Sequence, residues 1–273
     1  DFRGLRGFSG RQIVANMKKS WPTLSCERID FPAVFKEELY PEVLARTLEV
    51  RDNRVRLADA VKPLVNGAEY IGMPAVFGIY KPDRVMKDLQ EMIGVPMFEI
   101  PTMPPSVPGI RLREMIEQVF PQRGAALIPQ QKILTVSMET SGLKLHLEDN
   151  YGSVVIHARD ALLATGRFIS GGLTARNDGI NESLMNIPVT QPKSREGWYG
   201  REYMGSSGHG IHRAGIEIDE MFRPLDRNGN TLDEHLYGAG IILAHQDWIR
   251  SRCGAGVAIT SAYKAIDAIM HSR

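Results

Sequence analysis

Cysteine is nearly absent. Only Cys26 and Cys253 occur in 273 residues, far apart and outside any Cys-x-x-Cys spacing, which excludes a disulfide scaffold, an iron–sulfur cluster or a structural zinc held by this chain alone. A reducing cytoplasm fits such usage. No apolar run approaches the roughly 20 residues of a spanning helix, and no signal-type segment opens the chain. Any association with the inner face of a cell membrane is therefore expected to come through a partner. Net charge is also scarce: at +1, with no basic run interleaved with aromatics, the chain has no field to attract nucleic acid. Finally, no Gly-x-Gly-x-x-Gly follows a predicted strand. Gly4, Gly7 and Gly10 are spaced by three and read as helix-packing or helix-start glycines.

What is present is a core. With 43% hydrophobic and 24% charged residues, the chain can bury one large or two smaller globular domains. Residues 1–21 read as a helix already under way, with Phe2, Leu5, Phe8, Ile13, Val14 and Met17 as its apolar members, and because residue 1 is Asp a segment is expected to precede it. Downstream, strands over 25–30, 69–73 and 97–100 alternate with helices over 41–50, 83–92 and 111–120, an order that favours a parallel sheet. The segment 51–65 is ambiguous and fits a loop followed by a helix. An α/β domain over 1–125 is expected, serving as cap, substrate domain or partner-facing surface.

The second half, 126–273, begins with a meander. Strands over 132–139, 143–148 and 153–157 are joined by turns at Ser141-Gly142 and Asn150-Tyr151-Gly152. A buried strand over 161–165 follows and ends on Thr165-Gly166-Arg167. About seventy residues later Leu236-Tyr237-Gly238-Ala239-Gly240 repeats the pattern, running on to Cys253-Gly254-Ala255-Gly256-Val257. After Gly256, Val257, Ile259, Ala262, Ile266 and Ile269 fall near helical spacing. An amphipathic helix should begin at these glycines, its free N–H groups and partial positive charge suited to a phosphate or to the electron-rich edge of a reduced flavin. A strand-to-helix turn needing glycine only for its backbone fits this stretch equally well.

Two proline-bearing loops, 72–78 and 100–111, follow predicted strands, where ligand-facing loops of open α/β sheets lie. Ser106 is expected to cap the next helix, with Pro108 in its first turn and Arg111 and Arg113 early in it. A rigid strand-to-helix connection is the competing reading. The insert over 174–233, rich in glycine and arginine, reads as a small cap or subunit contact. His209 and His212 lack the carboxylate or cysteine company of a metal site, and no metal is expected. Trp198 and Tyr199 read as loop anchors or stacking groups, and Asp226-Arg227-Asn228-Gly229-Asn230 as a hairpin turn.

Met73-Pro74-Ala75-Val76-Phe77-Gly78, Pro101-Thr102-Met103-Pro104-Pro105-Ser106-Val107-Pro108-Gly109-Ile110-Arg111-Leu112, Ala164-Thr165-Gly166-Arg167-Phe168-Ile169-Ser170-Gly171-Gly172-Leu173 and Cys253-Gly254-Ala255-Gly256-Val257 stand in that order. Together they resemble the B subunits of the anaerobic, quinone-linked glycerol-3-phosphate dehydrogenases. The chain departs from that pattern at Ala244-His245 and is more basic around Arg250 to Arg252.

The resemblance implies a Rossmann-like, two-dinucleotide-binding-domain flavoprotein with its amino-terminal flavin segment upstream, so an incomplete α/β fold is expected. It implies FMN, or alternatively FAD, and oxidation of sn-glycerol 3-phosphate, a small phosphorylated polyol, to dihydroxyacetone phosphate. Partners would be a catalytic flavoprotein subunit and an iron–sulfur, membrane-associated subunit that passes electrons to quinone. A non-catalytic electron-transfer or scaffold subunit, a reductase of the fumarate-reductase type, and a fragment that binds no flavin are the alternatives. On this reading Thr165, Gly166, Arg167, Gly171, Gly172, Gly240, Asp247, Gly254, Ala255 and Gly256 address the cofactor. His245 is the candidate base and Arg252, with Arg250, a phosphate partner, although a histidine at a strand end is more often a hydrogen-bonded structural group.

Overall fold

Turning glycines govern the start of the chain. In the computed structural model Gly4 and Gly7 take positive φ of 78° and 72°, which only glycine adopts without strain. Phe2 and Leu5 instead form isolated parallel bridges to Ile29 and Leu39. The helix expected over 1–21 is thus confined to α1, Gly10–Met17, where the Ser9 hydroxyl accepts from the Gln12 amide at 3.4 Å. The strand expected over 25–30 likewise contracts to the single bridge at Ile29. Described residues are 1–32, 38–149, 152–202 and 205–272, and the turn expected at Asn150-Tyr151 falls outside them. The chain divides into two units, Asp1–Leu127 and Ile128–Arg273.

In the first unit α2, Pro41–Leu48, buries Leu44, Ala45 and Leu48, the i, i+1, i+4 face of a short amphipathic helix. The ambiguous segment is mostly helix: α3, Arg51–Val61, buries Leu57, Ala58 and Val61 beside Arg54. The Arg54 guanidinium is satisfied by Asp88 at 2.9 Å and by the Leu48 carbonyl at 2.7 Å. Strand β1, Ile71–Pro74, is joined through helix α4, Pro82–Ile93, to β2, Met97–Ile100, and the two strands pair in parallel from Ile71↔Met97 to Pro74↔Ile100. Helix α5, Val107–Gln122, follows with Ser106 at its N-cap, but the expected side-chain cap is not made. Arg111 turns inward instead. It grips Glu99 through both nitrogens at 2.5 and 2.8 Å and the Gly78 carbonyl at 2.8 Å.

The second unit opens with an antiparallel meander of β3, Ile133–Glu139, β4, Gly142–Asp149, and β5, Gly152–Ala158. Strand β6, Ala161–Leu163, leads through a tight turn to the hairpin of β7, Leu173–Arg176, and β8, Gly179–Glu182, then β9, Val189–Thr190, and β10, Gly215–Ile216. Strand β11, Leu236–Gly238, pairs in parallel with β6, and helices α6, Trp248–Ser251, and α7, Gly254–His271, close the chain. Within the insert, Ile180, Ile187, Trp198, Ile211 and Ala214 share one core with Leu163, Leu236 and Ile242. Burial of these apolar groups, not glycine content, decides its fold. The glycine-rich segment carrying the two histidines is ordered by a 3-10 turn, Gly210–Arg213. Helix α7 packs Ala265, Ala268 and Ile269 on Tyr237.

Candidate functional site

The parallel ladder of β6 and β11 sets the site. Leu236 faces Ala161, Tyr237 faces Leu162 and Gly238 faces Leu163, and the Ala239 amide extends the ladder to the Leu163 carbonyl at 3.0 Å. The segments that follow both strands therefore leave from one carboxyl edge, where open α/β sheets present ligands to their loops. The two glycine stretches, about seventy residues apart in sequence, are neighbours.

After β6 the chain folds back on itself. Gly166 and Gly171 have φ of 69° and 85°, and the Gly172 amide donates to the Arg167 carbonyl at 3.0 Å. A β-carbon on Gly172 would run into the Gly166 carbonyl and lie 2.7 Å from Thr165 Oγ1. Gly166 and Gly172 are thus required by the turn itself; Gly171 and Gly240, at φ of 85° and 81°, are also glycine for their backbone but have open space where a side chain would stand. Arg167, 5% exposed, spans this turn and the loop after β11. Its guanidinium donates to the carbonyls of His212, Leu243 and Gln246, the last two at 2.9 and 3.1 Å. Burial pushes its pKa down to about 10, an effect opposed by the charge of Asp247.

The loop after β11 enters α6 through Asp247, which caps it by accepting from the Arg250 amide at 3.1 Å. Arg252 ends α6 in the left-handed region at φ 50°, its side chain exposed. The Trp248 ring lies against Gly254, where a β-carbon would come within 3.1 Å. Helix α7 starts there. Cys253 gives its first turn no side-chain cap, so the amides of Gly254, Ala255 and Gly256 have no intrahelical acceptor, and Gly256 faces open space. Gly240 is tied to the same helix by its amide, which donates to Ser261 Oγ at 2.8 Å.

Around this junction, buried polar atoms lack partners. Thr165 Oγ1, Arg167 Nε, His212 Nδ1, Gln246 Oε1, Asp247 Oδ2 and Trp248 Nε1 are all buried without a hydrogen bond. Arg167, His212, Gln246 and Asp247 are connected by the Arg167 contacts and by an approach of 3.7 Å between His212 Nδ1 and Asp247 Oδ1, and Thr165 and Trp248 lie within two residues of them in sequence. Buried polar groups are otherwise almost always paired, so their concentration marks this place in the unit. Burial also depresses the His212 pKa; Asp247 opposes the shift, while His209, Arg167 and Arg250 add to it.

Of the residues singled out from sequence, Thr165, Gly166, Arg167 and Asp247 meet at this cluster, with Gly254, Ala255 and Gly256 at the neighbouring helix start. His245 is elsewhere on the loop: its side chain is 70% exposed, at φ 68°, with Nε2 2.7 Å from Glu217 Oε1. Gln246 and Trp248 escaped the sequence reading, and His212 entered it only as a rejected metal ligand. Nothing in their spacing marks them as parts of one cluster, because they are brought together only by the Arg167 clamp and the α6 turn. Among the described residues no group of three or more His, Cys, Asp or Glu is placed to hold a metal.

The family model described as FAD binding domain matches residues 40–257. The B subunit of the anaerobic glycerol-3-phosphate dehydrogenase of Pectobacterium carotovorum subsp. carotovorum (strain PC1) is 32% identical over 227 residues, covering 83% of this chain and 53% of the relative. The protein of the same name from Pectobacterium atrosepticum is 30% identical over 272 residues, 98% of this chain and 63% of its own length. That of Yersinia pestis is 31% identical over 264 residues, 95% and 61% respectively. The chain therefore spans between 53% and 63% of the length of these curated relatives.

Proposed function

The chain belongs to the FAD binding domain family, and from that membership we propose that it forms the flavin-facing part of an oxidoreductase subunit acting in the oxidation of sn-glycerol 3-phosphate. The product is dihydroxyacetone phosphate, and the electrons pass on to quinone. The observation that carries this reading is the cluster of six unpartnered buried polar atoms beside the uncapped start of α7. Each such atom costs about 1–3 kcal/mol when nothing satisfies it, a cost that contacts to a ligand remove.

The chemistry of the cluster fits a flavin. Arg167 Nε and Trp248 Nε1 can only donate, Gln246 Oε1 and ionised Asp247 Oδ2 only accept, and Thr165 Oγ1 can do either. A phosphate carries acceptors alone and is repelled by Asp247. A flavin ring edge, with its N–H between two carbonyls, and ribityl hydroxyls offer both kinds. Open space at Gly171, Gly240 and Gly256 lets backbone approach such a ring. The α7 amides favour the negative charge that a reduced flavin carries. When bound, the flavin supplies the two-electron acceptor. Arg250 and Arg252 stand at the same junction as cations for the substrate phosphate, and His245, on the loop before α6, is the competing candidate for the base.

We assign the flavin as FAD on the family description, with FMN the competing outcome. The relatives are named as B subunits, and we place this chain likewise with a catalytic flavoprotein subunit and an iron–sulfur subunit. No helix among the described residues is long and apolar enough to cross a membrane; contact with the inner face of the membrane is assigned to a partner. The test is to incubate the purified chain with FAD, FMN or riboflavin, desalt it, and read the flavin absorbance and the mass of released cofactor. Retention of FAD is expected. Retention of FMN alone overturns the choice of flavin, and a colourless protein in all three overturns the flavin reading.

A further inference from the structure

We infer that His212 and Asp247 are the proton-handling pair of this site, His212 accepting the proton of the alcohol being oxidised and Asp247 orienting the imidazole. The inference rests on the oxidation reading above. Oxidation of a secondary alcohol breaks a C–H and an O–H bond and forms C=O. The hydride carries two electrons to the flavin, and the proton needs a base beside the hydroxyl.

His212 is built as such a base. Its carbonyl is held by Arg167, and its amide donates to the His209 carbonyl at 3.0 Å. Its ring stands edge-on to the His209 ring at 5.2 Å and 89°. His209 is fixed in turn, since its Nδ1 accepts from the Gly200 amide at 2.9 Å and its ring meets Tyr199 at 5.8 Å. The imidazole plane is therefore set by packing, while Nδ1 itself is buried and unpartnered. Asp247 is fixed by the same logic. Its Oδ1 caps α6, its side chain is 7% exposed, and Oδ2 is unpartnered.

The two groups lie 3.7 Å apart, Nδ1 to Oδ1. A proton on Nδ1 directed at this carboxylate leaves the Nε2 lone pair to accept from the substrate, and the carboxylate then stabilises the imidazolium. The charged and titratable groups facing His212 are Asp247, His209, Arg167 and Arg250. Three of the four disfavour a charge on the ring, as burial does, so His212 is neutral and able to accept at neutral pH. His245, mostly exposed and engaged with Glu217, lacks this surrounding.

The deciding measurement is the titration of the His212 ring by long-range 1H–15N NMR in the chain itself, compared with Asp247→Asn. Asparagine caps a helix as well as aspartate, so the substitution removes only the charge. A His212 midpoint that falls in Asp247→Asn, but not in Asp160→Asn, whose carboxylate pairs with His235, supports the pair; an unchanged midpoint overturns it. In the flavin-loaded, subunit-complete enzyme His212→Gln should lower kcat by about 100-fold or more, with flavin absorbance retained and the low-pH limb of kcat flattened. Survival of that limb in His212→Gln, or its loss in His245→Gln instead, overturns the inference. Failure of the unmodified protein to take up flavin counts against the oxidation reading, whereas the NMR comparison needs no flavin and decides the pair separately.

Discussion

Arg167 donates to the carbonyl oxygen of Leu243 at 2.9 Å across 76 residues of sequence, fastening the turn after β6 to the loop after β11. The same guanidinium holds the carbonyls of His212 and Gln246. A single buried cation thus gathers the three segments that carry the unpartnered polar atoms.

Loss of this clamp should be felt first as stability. Arg167→Met removes the charge but strands three carbonyls near the core, and a loss of about 2–4 kcal/mol is expected from such unmade bonds. Urea unfolding followed by circular dichroism should show a lower midpoint at unchanged slope. Arg167→Lys should recover only part of the loss, because an ammonium cannot reproduce the planar fork that reaches carbonyls on separate segments.

The glycines separate by cause. Gly172→Ala drives a β-carbon into the Gly166 carbonyl and the Thr165 backbone, and overpacking against backbone of this kind costs about 1–3 kcal/mol. Gly256→Ala meets open space within a helix, where alanine is favoured over glycine by up to about 1 kcal/mol. The second variant should therefore be as stable as the parent or more so, and should bind flavin about ten-fold more weakly in a fluorescence titration, because a β-carbon now stands where the ligand approaches backbone. Equal flavin affinity in Gly256→Ala would show that the ligand does not touch this turn of α7.

What the sequence made legible follows from where the information resides. The meander, the parallel strands ending in glycine and the helix after Gly256 are written in local periodicity, and α7 begins at Gly254. Residues 1–21 misled because Phe2 and Leu5 keep helical spacing while Gly4 and Gly7 turn the chain; their burial comes from long-range contact with Ile29 and Leu39. The insert over 174–233 read as a small cap or subunit contact because of its glycine and arginine, yet Ile180, Trp198 and Ile211 all reach the core. Gln246 and Trp248 carried no signal at all, and His212 was weighed only as a metal ligand, since a site assembled by one arginine from three segments has no spacing to read.

A second internal pair bears on the first unit. Arg111 and Glu99 join β2 to α5 through two short bonds, with side chains 18% and 19% exposed, and Glu99 also accepts from the Phe77 amide at 2.7 Å. Arg111→Ala leaves that carboxylate half-buried without its cation, and a loss of about 2–3 kcal/mol is expected for a charge-assisted bond in this setting. Glu99→Gln should cost less, because the amide oxygen still serves Phe77. Comparison of the two urea midpoints checks the order; midpoints unchanged in both variants would show that the pair is dispensable and only the Phe77 contact matters.

Acid should act on the second unit through His212. Burial, with His209, Arg167 and Arg250, holds its pKa below the ordinary 6.5, against the opposing charge of Asp247. The unfolded chain then binds this proton more readily than the folded one, so stability rises with pH in this range. The contribution is complete above the ordinary 6.5 and is lost as pH falls through the depressed folded value. Urea midpoints measured from about pH 7 to about pH 5, the range in which histidine titrates, should decline in the parent protein and decline less in His212→Gln. Asp247→Asn should steepen the decline by depressing the folded value further. Carboxylates such as Asp219, where burial is outweighed by hydrogen bonds from Arg223, act at lower pH, below their ordinary 3.8, and do not blur this window. An identical decline in parent and His212→Gln would show that the ring titrates freely and is not held in the buried cluster.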